Sequence, residues 1–451
     1  MERFDVIIIG AGIGGLLTGV ALAQAKKKVL ILEKAPIIGG KYTEISYKGY
    51  LVTTGAWANL GPESNLGKMC ENLGCKINYI IPENPYSLPG VAKWKDGSET
   101  PFSVSDLDGI KSLFEMLPQE DRASIMNFMA RLISKRRKIT EELDKISVKA
   151  LMDQFSIKNE RFINLINAYS FTASGLDIDS FVAGEMGFVL REINRIVSKG
   201  MGYTVGGTKS MIDELERVFI ENGGEIRVNS PVKSIIYDQN EVSGVELEKG
   251  STIYSGIVIH NAGPRALLRL AGEKNLPEDL VERIKNLIPS ECGSIILGLT
   301  EQLWENVPIM LTPDAKRVTG IYWVSYLDKS VAPAGKELYD VFFALKSKDL
   351  NLELQFINED LHQLFPNLDE ITDMRVESLF HGIFPAIETA QTFGQIGDER
   401  IDPAFDYKGP KGLYMVGADV KGRGAAGDLI PVGVKILLDK LKAEYKIEIK
   451  I

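Results

Sequence analysis

The 451-residue chain is short of cysteine, histidine and positive charge. It holds three cysteines and three histidines. Three scattered cysteines cannot frame a disulfide scaffold or a structural zinc site. A reduced, cytosolic setting is the simplest reading. The net charge of -9 argues against nucleic acid as a partner. No apolar run reaches the ~20 residues of a membrane span. The N-terminus does not read as a secretory signal, because Glu2, Arg3 and Asp5 precede an apolar run that ends at Gly10. A peripheral membrane contact stays open. With 45% hydrophobic and 25% charged residues, the composition excludes wholesale disorder and collagen. The length suggests two or three domains.

What the chain has in quantity is glycine, 43 residues, much of it clustered. Phe4 to Ile9 is apolar and β-branched, and reads as a buried parallel strand. Gly10-Ala11-Gly12-Ile13-Gly14-Gly15 follows at once. Leu16 to Gln24 is predicted as a helix, and Lys28 to Leu32 as a second strand ending at Glu33. This is the strand, glycine loop, helix, strand and acid unit that binds a dinucleotide. Gly10 allows the tight turn, Gly12 lets backbone approach a pyrophosphate, and Gly15 lets helix and strand pack closely. Glu33 stands where a carboxylate accepts hydrogen bonds from ribose hydroxyls. It disfavours a 2'-phosphate and so argues against NADP.

The next residues run Glu33-Lys34, then Ala-Pro-Ile-Ile, then Gly39-Gly40-Lys41. This resembles the acid, spacer and Gly-Gly-Arg/Lys extension of the large FAD-dependent amine oxidase and phytoene desaturase superfamily. The resemblance implies an α/β fold. A Rossmann-like FAD-binding domain of glutathione-reductase type is interleaved with an α+β substrate domain. The FAD-binding part is expected at 1-75, 200-275 and 395-451. The substrate part is expected at 76-199 and 276-394, with a helical subdomain at 105-199. It further implies that Gly40 and Lys41 lie along the FAD pyrophosphate, although Lys41 stands where arginine is more usual and lacks its fork. Ala56 and Trp57 sit where the family places a loop against the flavin ring. Val232 matches the position whose backbone meets the adenine.

The end of the chain completes the pattern. Gly412 to Val416 reads as a strand, followed by Gly417-Ala418-Asp419. The run from Gly422 to Asp428 leads into a helix from Ile430 to Leu441. In the superfamily the acid after the strand, here Asp419, bonds the ribityl chain. The helix start near Asp428, Leu429 and Ile430 faces flavin N1 and O2, where its dipole favours negative charge. Asp428 also reads as a helix N-cap. No strand and acid follow this second GxGxxG, so no separate nicotinamide domain is expected. Metal-ligating clusters are absent from the pattern.

Between these blocks, helices are expected at Asp106 to Leu117, Glu120 to Ile139, Val148 to Phe155, Asn159 to Ser170, Val182 to Ser198 and Leu352 to Leu364. The stretch 125-138 is amphipathic and ends basic. It reads either as a core-facing helix with a cationic C-terminus favoured by the dipole or as a lipid-surface helix. Thr208 is a candidate N-cap for a helix from Lys209 to Glu221, with Gly223 just past its end. Strands are expected at 225-228, 232-237, 242-247, 257-260, 294-299, 321-326 and 339-345, and an edge strand at the tail, Tyr445 to Ile451. Aromatics gather at Trp304, Tyr322, Trp323, Tyr326, Phe342 and Phe343.

Within the superfamily the chain looks closest to phytoene desaturase and related carotenoid or retinoid oxidoreductases. That implies hydride transfer between a carbon of an apolar isoprenoid and flavin N5. The electron acceptor is left open between oxygen, a quinone and another carrier. No catalytic base stands out, and of the histidines only His381 falls beside a candidate pocket. Two alternatives stand beside this reading. One is an amine or protoporphyrinogen oxidase, against which Val420 to Val434 contains no aromatic. The other is a flavin-free lipid escort similar to the GDP-dissociation inhibitors, against which Gly10, Gly12, Gly15, Glu33 and Asp419 are all retained.

Overall fold

The computed structural model describes residues 2-449 apart from 56-59, 85-88, 104-114, 288-290, 381-399 and 425. Its centre is a five-stranded parallel sheet in the order β10 (Glu225–Arg227), β3 (Val29–Leu32), β2 (Val6–Ile9), β14 (Val258–His260) and β20 (Leu413–Met415). Every residue of β2 and β3 is buried, as a sheet covered on both faces requires. Alternation decides which cover each residue meets. Val6 and Ile8 pack with α1 (Ile13–Gln24), α8 (Gly207–Glu221) and α13 (Leu429–Tyr445). Ile7 and Ile9 pack the other way, against α9 (Pro264–Ala271), α10 (Glu278–Lys285) and a small sheet. That sheet runs β1 (Glu2–Arg3), β13 (Thr252–Tyr254), β12 (Glu241–Leu247), β11 (Val232–Asp238).

A second large sheet has seven strands, in the order β19 (Thr372–Phe380), β15 (Cys292–Leu299), β18 (Glu337–Ala344), β17 (Val318–Trp323), β16 (Ile309–Leu311), β7 (Pro89–Lys93) and β8 (Glu99–Ser103). Period two again sorts its residues. Ile295, Leu297, Tyr339, Val341 and Phe343 form a core with α11 (Leu350–Leu364) and the short α12 (Leu368–Ile371). The opposite face carries Ser294, Asp340, Phe342 and Tyr322, and α6 (Glu160–Ser174) crosses it at β16 to β18. Thr172 of α6 bonds Thr319 of β17 at 3.3 Å. The expected aromatic cluster is thereby split. Trp304, Trp323 and Phe343 belong to the core, while Tyr322 and Phe342 pair edge-to-face at 5.3 Å on the inner side.

The helical part comprises α3 (Gln119–Leu132), α4 (Arg137–Leu143), α5 (Val148–Gln154), α6 and α7 (Ala183–Val197). Two short pairs, β4 (Glu44–Tyr47) with β5 (Tyr50–Thr53) and β6 (Tyr79–Ile80) with β9 (Tyr203–Thr204), and the helix α2 (Asn65–Asn72) link the layers.

Three expectations need correction. The helix expected at 120-139 stops at Leu132, and α4 starts at Arg137. The basic run therefore occupies a turn and a helix N-terminus, where the dipole disfavours cations. A dipole-favoured C-terminus does not explain it. The tail makes no edge strand through residue 449, because α13 absorbs Tyr445 and Ile447 turns into the core. Thr208 does not cap α8. That helix begins at Gly207 behind a left-handed Gly206, and the Glu44 carboxylate of β4 accepts from Thr208 N, Lys209 N and the Thr208 hydroxyl instead. Most of the helix expected at 106-117 lies outside the described residues, as do Ala56, Trp57 and His381.

Candidate functional site

The site gathers at the carboxyl ends of β2, β3, β14 and β20, where parallel α/β sheets bind ligands. Gly10 has φ +100°, which an L side chain rarely adopts, and it turns the chain sharply after Ile9. Helix α1 then starts at Ile13 with Gly12 as its cap residue. Among the described residues no side chain caps it, and its first turn holds no acid. A helix N-terminus with no protein anion on it is a ready anion site. A Cβ on Gly15 would run into the Gly10 carbonyl and lie 2.9 Å from Asn261 Nδ2, so only glycine lets helix and loop pack this closely.

Asn261 was not singled out from the sequence, yet it is the keystone of the loop. Its amide donates to Gly10 O at 3.1 Å, and its side chain borders Gly12, Gly14 and Gly417. The available signal was its position directly after β14. His260, just before it, is structural. Its Nε2 bonds Gly263 O at 2.7 Å, and burial pushes its pKa down to about 4.

Glu33 ends β3 and is buried. Its two carboxylate oxygens accept from Ala11 N and Ala35 N, each at 2.8 Å, which fixes the acid beside the glycine loop. The segment leading to Val232 comes alongside, with Ser230 N bonded to Glu33 O at 2.8 Å. Val232 is buried where β11 begins. Lys34 is exposed. Gly39 and Gly40 fold back over the loop. Gly39 N bonds Ala11 O at 2.8 Å, and a Cβ on Gly40 would meet Gly12 Cα at 3.3 Å.

The two ends of the chain meet at Gly14. A Cβ there would lie 3.3 Å from both Gly417 N and the Ile430 side chain. Asp419 is buried two residues past Gly417. Leu429 is buried and Ile430 half-buried at the start of α13, a second helix without a side-chain cap. Asp428 does not cap its own helix. Its carboxylate accepts from Asn65 N and Leu66 N at 2.9 and 2.7 Å, and so completes the capping of α2 beside its N-cap Ser64, which accepts from Gly67 N. The loop before it is held from the helical part, since Arg423 and Arg400 both reach the buried Glu185 of α7 at 3.1 Å. Sequence reasoning missed this clamp, because its partners lie far apart along the chain.

Lys41 faces inward. Its side chain is open to water, yet it is surrounded by protein, and burial pulls its pKa down against the neighbouring Asp419 and Cys292. Both conditions hold for a group lining an interior hollow. Cys292, Tyr169, Tyr203 and Tyr322 are likewise deep but only half-buried. Burial pushes the Cys292 thiol up to about 12, with Lys41 opposing. Asp419 and Cys292 thus neighbour Lys41 beside the glycine loops, and Tyr169 and Tyr203 neighbour Tyr322 at the inner face of the seven-stranded sheet. Among the described residues no cluster of His, Cys, Asp and Glu could hold a metal ion, and no helix is long and apolar enough to cross a membrane.

Two uncapped helix N-termini, a glycine cradle and an acid at the ribose position, opening on a deep hollow, define a dinucleotide-dependent enzyme. The model of the flavin-containing amine oxidoreductases matches residues 13-427, and the chain belongs to that family. It is an FAD-dependent oxidoreductase, phytoene desaturase-like within the superfamily. An uncharacterized protein of Methanocaldococcus jannaschii is 25% identical, over 92% of this chain and 94% of its own. Prolycopene isomerase of Daucus carota is 24% identical, over 88% of this chain and 70% of its own. The crystal structure of an oxidoreductase from Methanosarcina mazei superposes with a TM-score of 0.81 at 24% identity, covering 97% of this chain and all of the other. The expected α/β architecture is borne out.

Proposed function

We propose that the chain acts on carbon–carbon bonds of an apolar isoprenoid or polyene, by desaturation, saturation or isomerisation. The observation that carries this is the set of partly open inward side chains, Lys41 and Cys292 beside the glycine loops and Tyr322 with Phe342 on the inner sheet face. The similarity to a prolycopene isomerase supports it. The uncapped start of α1 and the Gly12–Gly40 approach fit a pyrophosphate, and Glu33 with the Val232 backbone fits an adenosine. Lys41 with Gly40 would lie along the pyrophosphate, and Asp419 and the start of α13 would hold the ribityl and ring end. Bound FAD would supply hydride acceptance or donation at N5. The chain's own residues bind, orient and exclude water. Lys41 sets a positive charge in the hollow, and the start of α13 adds a dipole that favours negative charge.

This reading divides the chain into an FAD-binding part at 1-75, 200-275 and 395-451 and a substrate part at 76-199 and 276-394. An amine substrate is disfavoured, since Val420 to Val434 has no aromatic to flank an amine. A lipid escort would not need two uncapped helix N-termini beside Glu33. We further propose that the exposed Met126 and Ile133 with the basic run Lys135 to Lys138 meet an anionic lipid surface, through which an apolar substrate is delivered. The test of function is anaerobic bleaching of the FAD-loaded protein. Phytoene or lycopene in detergent micelles should change the flavin spectrum and alkyl amines should not. The reverse pattern would overturn the assignment.

A further inference from the structure

The inner face of the seven-stranded sheet carries a polar cluster that the reading above does not use. Tyr322 of β17 stands directly opposite Asp340 of β18. Asp340 in turn stands opposite Ile296 of β15, with Ser294 on the diagonal. Opposed residues share a face, with Cβ atoms about 5 Å apart. Asp340 is fully buried. Among the described residues neither of its carboxyl oxygens closes a hydrogen bond, and neither do the Ser294 and Tyr169 hydroxyls. Ser294 is nonetheless close enough to favour the ionised carboxyl. Folded proteins rarely leave buried polar atoms in that condition without a function or a mobile partner.

The cluster continues along β15 toward Lys41. The Tyr322 side chain is half-buried, and its electrostatic neighbours are the Tyr169 and Tyr203 phenols and Asp340. Cys292 lies two residues before Ser294 on the same face, about 7 Å along the strand, and faces Lys41, which in turn neighbours Asp419.

We propose that Asp340 is the proton store of this site, acting through Tyr322, so that a proton leaving or entering the substrate passes by the phenol to or from the carboxyl. The inference rests on the isoprenoid reading above. Forming a C=C bond removes two hydrogens from neighbouring carbons. One leaves with its electron pair as hydride, the step that flavin supplies. The other leaves as a proton, and its C–H electron pair becomes the π bond. The Tyr322 oxygen takes that proton while the Tyr322 O–H proton passes to the ionised Asp340 carboxyl, over a hydrogen bond that Asp340 leaves open here and that tightens with substrate bound. Saturation runs the same transfers in reverse. Isomerisation adds and removes one proton with no net change. Tyr322 is the group within reach of substrate, and Asp340 is a positioning residue behind it.

The charges around Asp340 suit the task. Burial pushes its pKa up to about 8, with only Ser294 opposing. The carboxyl is mostly neutral at pH 7, poised to donate its proton for saturation, and it ionises as pH passes about 8, where it accepts the proton of desaturation. Among the described residues no cation or second acid contributes to this. The phenols of Tyr322 from β17, Tyr169 from α6 and Tyr203 from β9 are raised above their usual range by burial and stay protonated. From β15 the Cys292 thiol does too.

The test uses infrared pH titration and the flavin midpoint potential against pH, on wild type and on Asp340→Asn, Tyr322→Phe and Ser294→Ala. Wild type should show a protonated-carboxyl band at pH 6 that fades through about pH 8. Asp340→Asn should lack it, and Tyr322→Phe should keep it. Charge added to the flavin on reduction raises the pKa of an acid facing it, so the potential should change slope near the same pH in wild type but not in Asp340→Asn. Ser294→Ala, which removes the oxygen that favours ionisation, should move band and slope change to higher pH together. A carboxyl already ionised at pH 6, or a slope change that survives in Asp340→Asn, overturns the proposal. So does indifference of both readouts to Ser294→Ala, which keeps the test open if Asp340→Asn fails to fold. The infrared band is read with or without flavin. Failure to bind FAD therefore counts against the oxidoreductase reading and not against the acid.

Discussion

Replacing Gly15 with alanine tests the cofactor loop at its tightest point. The added Cβ would lie 2.9 Å from Asn261 Nδ2 and 3.2 Å from Ile8 Cγ2, with the Gly10 carbonyl oxygen nearer still. A carbon–oxygen contact settles near ~3.3 Å, so loop and helix must separate by about 1 Å. No flexible side-chain end absorbs this, because the nearest obstacle is backbone. Overpacking of this kind costs about 1–3 kcal/mol. If the loop yields, the strain falls on FAD binding, and at ~1.4 kcal/mol per decade the Kd rises roughly fivefold to a hundredfold. Gly19→Ala is the control. It lies in the same helix, but its Cβ would meet the ends of the Ile31 and Phe219 side chains at 2.9 and 3.1 Å, which can shift. Flavin fluorescence titration and thermal melts with and without FAD read the two effects. Gly15→Ala should lose affinity or stability, and Gly19→Ala should keep affinity. A Gly15→Ala protein with unchanged Kd and unchanged Tm would show that the loop does not need glycine at this contact.

Asp428→Ala leaves the Ser64 cap of α2 in place but removes the acceptor of Asn65 N and Leu66 N, and should lower stability by about 1 kcal/mol, measured by urea unfolding. The folded pKa of His260 lies below its unfolded value, so its contribution is full above pH 6.5 and is lost as pH falls toward 4. The loss amounts to roughly 3 kcal/mol. His260→Gln should flatten the stability–pH curve in that window. Asp340 has a raised folded pKa, so its neutral form stabilises at low pH and its burial tells against the fold as pH rises toward 8. Asp340→Asn should therefore melt higher than wild type at pH 8. Changing Lys135, Arg136, Arg137 and Lys138 to glutamine should abolish sedimentation with anionic liposomes, and unchanged sedimentation would defeat the lipid-surface proposal.

Much of the nucleotide fold was legible because its signals are local. The strand and glycine loop at 4-15, the acid at Glu33 and the Gly39-Gly40-Lys41 turn each announce themselves within a few residues. Three of the parallel strands could be placed by their apolar runs alone. What the sequence hid was long-range. Glu44 caps α8 and Asp428 completes the capping of α2, each across a gap that propensity does not see. Asn261 looked like an ordinary strand end until β14 came to lie beside β2. Strands β7, β8, β16 and β19 carry weak patterns of their own and depend on their neighbours in the sheet. The inner placement of Asp340 follows only from the register of β18 against β15 and β17. A one-residue slip would have sent it to the other face.

This chain is an FAD enzyme, and the absorption spectrum of the purified protein, taken before and after acid release of any chromophore, checks that assignment. The expected result is a yellow protein that releases FAD, or a colourless one that turns yellow on taking up added FAD with micromolar or tighter affinity. A colourless protein that refuses added FAD would contradict it.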